Sequence, residues 1–207
     1  MMLLAIETSV PHASLCLADG DSILFSASWQ SERNHDSYLF PALEQALAKL
    51  PDSSALDYIL VGAGPGSYGG VRVALAAGVG IATVTGAKLV ALESWAQLAD
   101  KDACVVADAR RGGWTVRYPD GRIEVLAPEQ LAALKSPLYS VEAPGALATT
   151  GASKVEKEGL IPHAEGLVST WLNMSAEAQA SAAARVPEPI YVRPPHITQA
   201  ARKPWEI

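Results

Sequence analysis

The stretch Tyr58 to Ala82, YILVGAGPGSYGGVRVALAAGVGIA, holds the residue pattern richest in possible chemistry. Its loop Gly64-Pro65-Gly66-Ser67-Tyr68-Gly69 satisfies G-x-G-x-x-G between a strand-like run and a helix-like run, with Glu93 closing the next apolar run. A dinucleotide site uses such glycines to bring backbone N–H groups to a pyrophosphate, and such an acid to hold a ribose. Pro65 opposes that reading, because it removes a donor from the loop. The overlapping Pro65-Gly66-Ser67-Tyr68-Gly69 approximates the G-x-S-x-G nucleophile elbow, with proline in place of the first glycine. A serine hydrolase built on it needs a base for Ser67. His163 and His196 are the downstream candidates, with Asp108 as the orienting acid. A P-loop starting at Gly64 finds Gly70 where the lysine belongs, and fails. A glycine turn that passes a strand tightly into a helix accounts for the same residues with no ligand.

The elements that must position this loop follow from hydrophobic spacing. LLAIETSVPHASLCLADGDSILFSA reads as an apolar strand ending at Glu7, a turn, a strand to Ala18, an Asp19-Gly20 hairpin turn and a third strand. ACVVADARRGGWTVRYPDGRIEVLA repeats that order, with Asp108 as the strand-end acid and Asp120-Gly121 as the hairpin turn. The acid precedes the turn by twelve residues in both copies, which points to an internal duplication.

Between the copies, Leu39, Leu43, Leu47 and Leu50 recur at helical spacing, with Pro41 expected near the helix start. Tyr58 to Val61 and Lys88 to Leu92 read as strands flanking a helix from Val71 to Thr85. That helix is apolar all round, with Arg72 as its one charge, so it is expected to meet a partner as well as its own sheet. Gly78 and Gly80 within it point to a close backbone approach by another helix. After the second copy, helices are expected at Pro128 to Leu134 and around Leu167 to Ala184, with a strand at Leu138 to Val141. The pattern divides into an α/β unit over 1–100 and a smaller one over 101–207, whose tail is able to pack back on the first.

Composition narrows the function. Sixteen basic against twenty-two acidic residues give a net charge of -6, with no Lys/Arg cluster fit to neutralise a row of phosphates. Strong binding of tRNA or other nucleic acid by this chain alone is not expected. Cys16 and Cys104 lie far apart in apolar runs and read as core residues of a reducing compartment. MMLLAIETS has no basic leader and meets Glu7 early, and Val73 to Ala82 is shorter than a bilayer span. A cytoplasmic protein with no membrane segment is expected.

Five segments resemble the bacterial TsaB (YeaZ) family, whose members take part in making threonylcarbamoyladenosine in tRNA. LLAIETS is similar to the family's first strand with I-D-T, and HDSYLFPALEQAL to its Leu-Pro helix. GPGSYGGVRVALAAGVGIA resembles its G-P-G-S-F-T-G-V-R-I-G signature, DARRGGWTVRY its D-A-R-x-G-E-V-Y, and PIYVR its P-x-Y-x-R. Glu7 stands where the family has Asp and Gly69 where it has Thr, and the C-terminal half is short for the family.

The resemblance implies the duplicated RNase H-like α/β fold of actin, Hsp70 and sugar kinases (the ASKHA superfamily), in two α/β subdomains. It implies a non-catalytic subunit that pairs with the transferase TsaD and works with the ATPase TsaE, reaching tRNA only through the complex and able to form a homodimer in isolation. The docking surface it implies lies on two helices, at Tyr38, Leu39, Leu43, Arg72, Val73, Ala76, Ala77 and Gly80. Glu7, Thr8 and Asp108 match the strand ends where catalytic relatives hold a metal-nucleotide, here a vestigial nucleotide site. No catalytic residue, metal or cofactor is expected on this chain, and ATP and metal are expected on the partner subunits. The segment after Lys88 to Leu92 lacks the histidine pair with which TsaD binds metal, and His12, His35, His163 and His196 are scattered. A serine hydrolase using Ser67 and a small-molecule kinase of the same superfamily are the alternatives.

Overall fold

The structure is a computed structural model that describes residues 1–31, 36–52, 55–98, 100 and 102–192. His35, His196 and the tail from 193 onward lie outside the described residues.

The first half builds strands β1 (Met2–Glu7), β2 (His12–Asp19) and β3 (Ser22–Gln30), helix α1 (Asp36–Leu47), β4 (Tyr58–Gly62), α2 (Tyr68–Thr85) and β5 (Lys88–Leu92). The sheet order is β3-β2-β1-β4-β5. β1 to β3 form an antiparallel meander, whereas β1, β4 and β5 run parallel through helical crossovers. β1 is central and covered on both faces, which is why it is a continuous apolar run rather than an alternating one. Gly20 takes the left-handed conformation at the β2–β3 turn, with φ of 58°.

The second half repeats the plan with β6 (Cys104–Asp108), β7 (Trp114–Arg117), β8 (Ile123–Leu126), the short helix α3 (Pro128–Ala132), β9 (Leu138–Ser140) and β10 (Val155–Lys157). Its order, β10-β9-β6-β7-β8, is the first sheet's order read from the other edge, with β6 in the place of β1. The duplication seen in the strand-end acids is thus a duplication of topology. The copy is reduced: five residues of α3 stand where the first half has α1, and a single 3-10 turn at Ala148–Thr150 where it has α2.

The chain then returns to the first sheet. α4 (Ala164–Leu172) and α5 (Ala176–Ala184) cover the face opposite α1 and α2. α4 buries Ala164, Leu167, Val168 and Trp171 among Leu3, Ala5, Cys16, Leu60 and Val90. The sequence suggested one helix over this span. The structure breaks it after Asn173, where Ser175 begins a new helix by accepting the Ala178 N–H on its hydroxyl at 3.2 Å. Pro41 is also displaced from its expected place: it is the sixth residue of α1, where it withholds one helical donor.

α2 has the length and hydropathy to cross a bilayer. Here, however, its Val71, Ala74, Leu75 and Gly78 face packs on the sheet, and Ser67 and Gly86 cap its ends.

Trp171 is fully buried, stacked obliquely on Tyr58 with ring centroids 4.9 Å apart. Replacing it with alanine removes the largest side chain binding the returning helix to the first sheet. Trp171→Ala is expected to lower unfolding stability by about 3 to 5 kcal/mol, read as a fall in the urea midpoint.

Candidate functional site

The site is assembled where the β1–β2 turn, Glu7-Thr8-Ser9, meets the glycine loop that leads from β4 into α2. Backbone presses on backbone there. Ser67 N–H donates to the Ser9 carbonyl at 2.6 Å, and the Thr8 hydroxyl donates to the Gly70 carbonyl at 2.7 Å. A Cβ at Gly66 would collide with the Ser9 carbonyl, and one at Gly70 with the Thr8 carbonyl. Gly64, at φ of 94° before a cis bond to Pro65, needs the left-handed region and shares two bonds with Ser94: its N–H reaches Ser94 Oγ at 3.1 Å, and its carbonyl accepts the Ser94 N–H at 2.9 Å. The glycines therefore serve close packing of the chain on itself.

Glu7 ends β1 wholly buried. Gly62 makes room for it, since a Cβ there would overlap the carboxyl group. Oε1 accepts the Ser9 N–H at 2.7 Å, while Oε2 has no well-formed hydrogen bond. Burial raises the Glu7 pKa above its ordinary value, and nearby groups of Ser9 and Ser94 oppose the shift without cancelling it. Thr8 is buried too, and its hydroxyl is spent on Gly70.

Asp108 occupies the equivalent end of β6 and is exposed. It accepts the Arg110 N–H at 2.7 Å across a turn in which Arg110, Arg111 and Gly112 all have positive φ. Among the described residues no hydrogen bond joins Asp108 to Glu7 or Thr8. A metal-nucleotide does not fit this arrangement: one acid is sealed beneath Gly62, and the loop that would meet the phosphates is pressed against Thr8 and Ser9. Glu93, the acid of the dinucleotide pattern, is bound instead to Arg117 at 2.8 Å in a half-buried ion pair between the two halves.

The elbow reading meets a similar obstacle. The Ser67 hydroxyl caps α2 by accepting the Gly70 N–H at 3.3 Å, and among the described residues no histidine bonds to it. His163 caps α4 instead: its Nδ1 accepts the Gly166 N–H at 3.0 Å and lies 3.4 Å from Glu165. The imidazole holds the Glu165 carboxyl down to about 2, and the Glu165 carboxylate raises the His163 pKa in turn.

The two helices expected to dock a partner lie side by side on one face. Leu39 and Leu43 are 1% and 6% exposed and belong to the core beneath α1, so their apolar spacing marks the inner face, and they are corrected from the docking set. Val73 and Ala77 are half-buried at the edge of the same core. Tyr38, Arg72, Ala76 and Gly80 do reach the surface. Gly78 is also corrected: a Cβ there would meet Leu89 Cδ1 at 2.7 Å and Val61 Cγ1 at 3.0 Å, so its smallness serves the sheet. A Cβ at Gly80 would meet nothing within 4 Å.

Sequence reasoning missed Phe40, Val79 and Val84, which are 61%, 54% and 79% exposed. The missed signal was the phase of α2. Once Val71, Ala74, Leu75 and Gly78 are inside, Arg72, Ala76, Val79 and Thr83 must face out. Between the ends of α1 and α2, Leu47, Leu50, Gly80, Ile81 and Val84 line a groove of about 340 Å³.

Repeated β3-β2-β1-β4-β5 sheets with helical crossovers define the duplicated actin- and Hsp70-like α/β class. Residues 29–188 match the family of TsaD, tRNA N6-adenosine threonylcarbamoyltransferase. The chain belongs to that family. A Pseudomonas aeruginosa structure described as an uncharacterized protein similar to peptidase YeaZ superposes with a TM-score of 0.71 at 25% identity, covering 93% of this chain and 99% of that one. YeaZ from Pseudomonas aeruginosa gives a TM-score of 0.71 at 24% identity, covering 92% and 99%. Comparison with curated proteins gives no match.

Glu7 generates a pH prediction. Its folded pKa lies above the unfolded value of 4.5, so the stability it contributes is full below that pH and is lost as pH rises through the folded value. Melting temperatures measured from pH 4 to 9 should show Glu7→Gln gaining on the wild type as pH rises.

Proposed function

We propose that this chain is a non-catalytic subunit of the tRNA threonylcarbamoyladenosine modification complex. It binds and supports the transferase subunit TsaD, and the ATPase TsaE completes the assembly. The observation that carries the reading is the apolar groove between the ends of α1 and α2, lined by Leu47, Leu50, Ile81 and Val84 with Gly80 open beside them, while Tyr38, Phe40 and Val79 stand exposed elsewhere on the same two helices. Large apolar side chains grouped on one face of a folded chain mark a surface for another protein. Gly80 allows that protein's backbone to come close, as small residues do where helices cross tightly.

The reading draws further support from the closed loop. Binding energy for a nucleotide would have to come from groups that this chain has bonded to itself, so ATP and metal are assigned to the partner subunits. The net charge of -6 argues that tRNA is held mainly through the complex. The same face, without its partner, offers a surface for a homodimer.

The test is the affinity of wild type and Gly80→Phe for TsaD of the same organism, by isothermal titration, with circular dichroism as the fold control. Phenylalanine has room at Gly80 in the free chain and obstructs only the bound state. A weakening of roughly five- to 150-fold is expected, from an overpacking cost of about 1 to 3 kcal/mol. Unchanged affinity would move the interface elsewhere.

The isolated chain is further expected to leave ATP intact and to remain unlabelled by a fluorophosphonate probe. Labelling that disappears in Ser67→Ala would establish the hydrolase instead. ATP turnover lost in Asp108→Ala would establish the kinase.

A further inference from the structure

The segment that follows α5 does not trail from the fold. It crosses back over the glycine loop. Ile190 N–H donates to the Ala63 carbonyl at 2.8 Å, immediately beyond β4, and the Ile190 carbonyl lies 3.4 Å from where a Cβ on Gly64 would stand. One residue on, the Tyr191 ring stacks on Tyr68, with centroids 5.1 Å apart and planes 26° from parallel. Tyr68 is the first residue of α2, and its hydroxyl accepts a hydrogen bond from Arg72 at 2.8 Å, with the guanidinium also 5.1 Å from the ring centroid. Tyr191, Tyr68 and Arg72 therefore form one cluster from two segments of chain. Tyr68 and Tyr191 are each about half exposed, and Arg72 has no carboxylate partner among the described residues.

Two exposed tyrosines stacked at the head of an apolar helix, beside an arginine bonded to one of them, have the composition of a binding hot spot. Tyrosine and arginine dominate such spots because they offer large contact areas. Here the stacking orders the rings before any partner arrives, so less side-chain freedom is lost on docking.

We infer that residues 188–191 form a latch whose Tyr191 completes the docking surface at the N-terminal end of α2, and that the surface it meets is an apolar protein face presenting a carboxylate to Arg72. The inference rests on the α1–α2 docking face proposed above, and extends that face to a segment far away in sequence. The glycine loop thereby gains a second function: Ala63 and Gly64 are the seat of the latch as well as the entry to α2.

The experiment measures the affinity of the full chain for TsaD by isothermal titration, with Tyr191→Ala, Tyr191→Phe, Arg72→Glu and Val84→Glu compared with the wild type. Tyr191→Ala is expected to weaken binding at least tenfold and Tyr191→Phe, which keeps the stack, by less than threefold. Arg72→Glu is expected to weaken binding at least tenfold, and Val84→Glu, at the other end of α2, to do the same. If Val84→Glu weakens binding while Tyr191→Ala binds as the wild type does, the docking face stands and the latch falls. If neither weakens it, the docking face itself is wrong. Circular dichroism decides the remaining case, since loss of the folded signal in Tyr191→Ala would make Tyr191 a structural residue and overturn the inference.

Discussion

The contact on which the rest depends is the one between the glycine loop and the Thr8–Ser9 turn. It is made by the Ser67 N–H on the Ser9 carbonyl and the Thr8 hydroxyl on the Gly70 carbonyl, with the chain of each loop packed directly on the other. No side chain wider than hydrogen fits at Gly66 or Gly70 without moving that turn. The contact sets the point at which α2 leaves the sheet.

The duplicated plan shows how one topology takes two forms. The first copy keeps long helices on one face and receives α4 and α5 on the other, so its sheet is covered on both sides. The second copy keeps the strands but reduces the crossovers to a short helix and a 3-10 turn. Its strand-end acid, Asp108, stays in solvent, whereas Glu7 lies sealed. Different coverage of equivalent sheets thus gives equivalent acids opposite environments, and burial raises the proton affinity of Glu7.

The halves are joined by polar contacts as well as by chain. Glu93 and Arg117 pair where both are mostly withdrawn from water, and Asp100 accepts hydrogen bonds from Tyr139 and Lys157 of the second sheet. A half-buried pair of this kind is costly to break singly, because the remaining charge is left without a partner. Trp95 adds an apolar contact to these, buried with Val105, Ala107 and Tyr139 of the second half.

Sequence alone was enough to determine strands β1 to β9, their order of appearance, the two hairpin turns and the internal repeat, because these rest on local period and on glycine at special φ, whereas the three-residue β10 gave no such pattern. It also carried the family, since GPGSYGGVRVALAAGVGIA is specific in both composition and spacing. It could not assign the faces of helices whose residues are all apolar or small. Leu39 and Leu43 went to the core and Phe40 to the surface, and Gly78 met the sheet while Gly80 met nothing, because the phase of each helix is set by the strands beneath it. The burial of Glu7 and the stacking of Tyr191 on Tyr68 were equally invisible, since each joins segments distant in the chain. Local sequence specifies what a segment can become; the side of it that meets solvent is decided by its neighbours, and these are known only when the chain has folded.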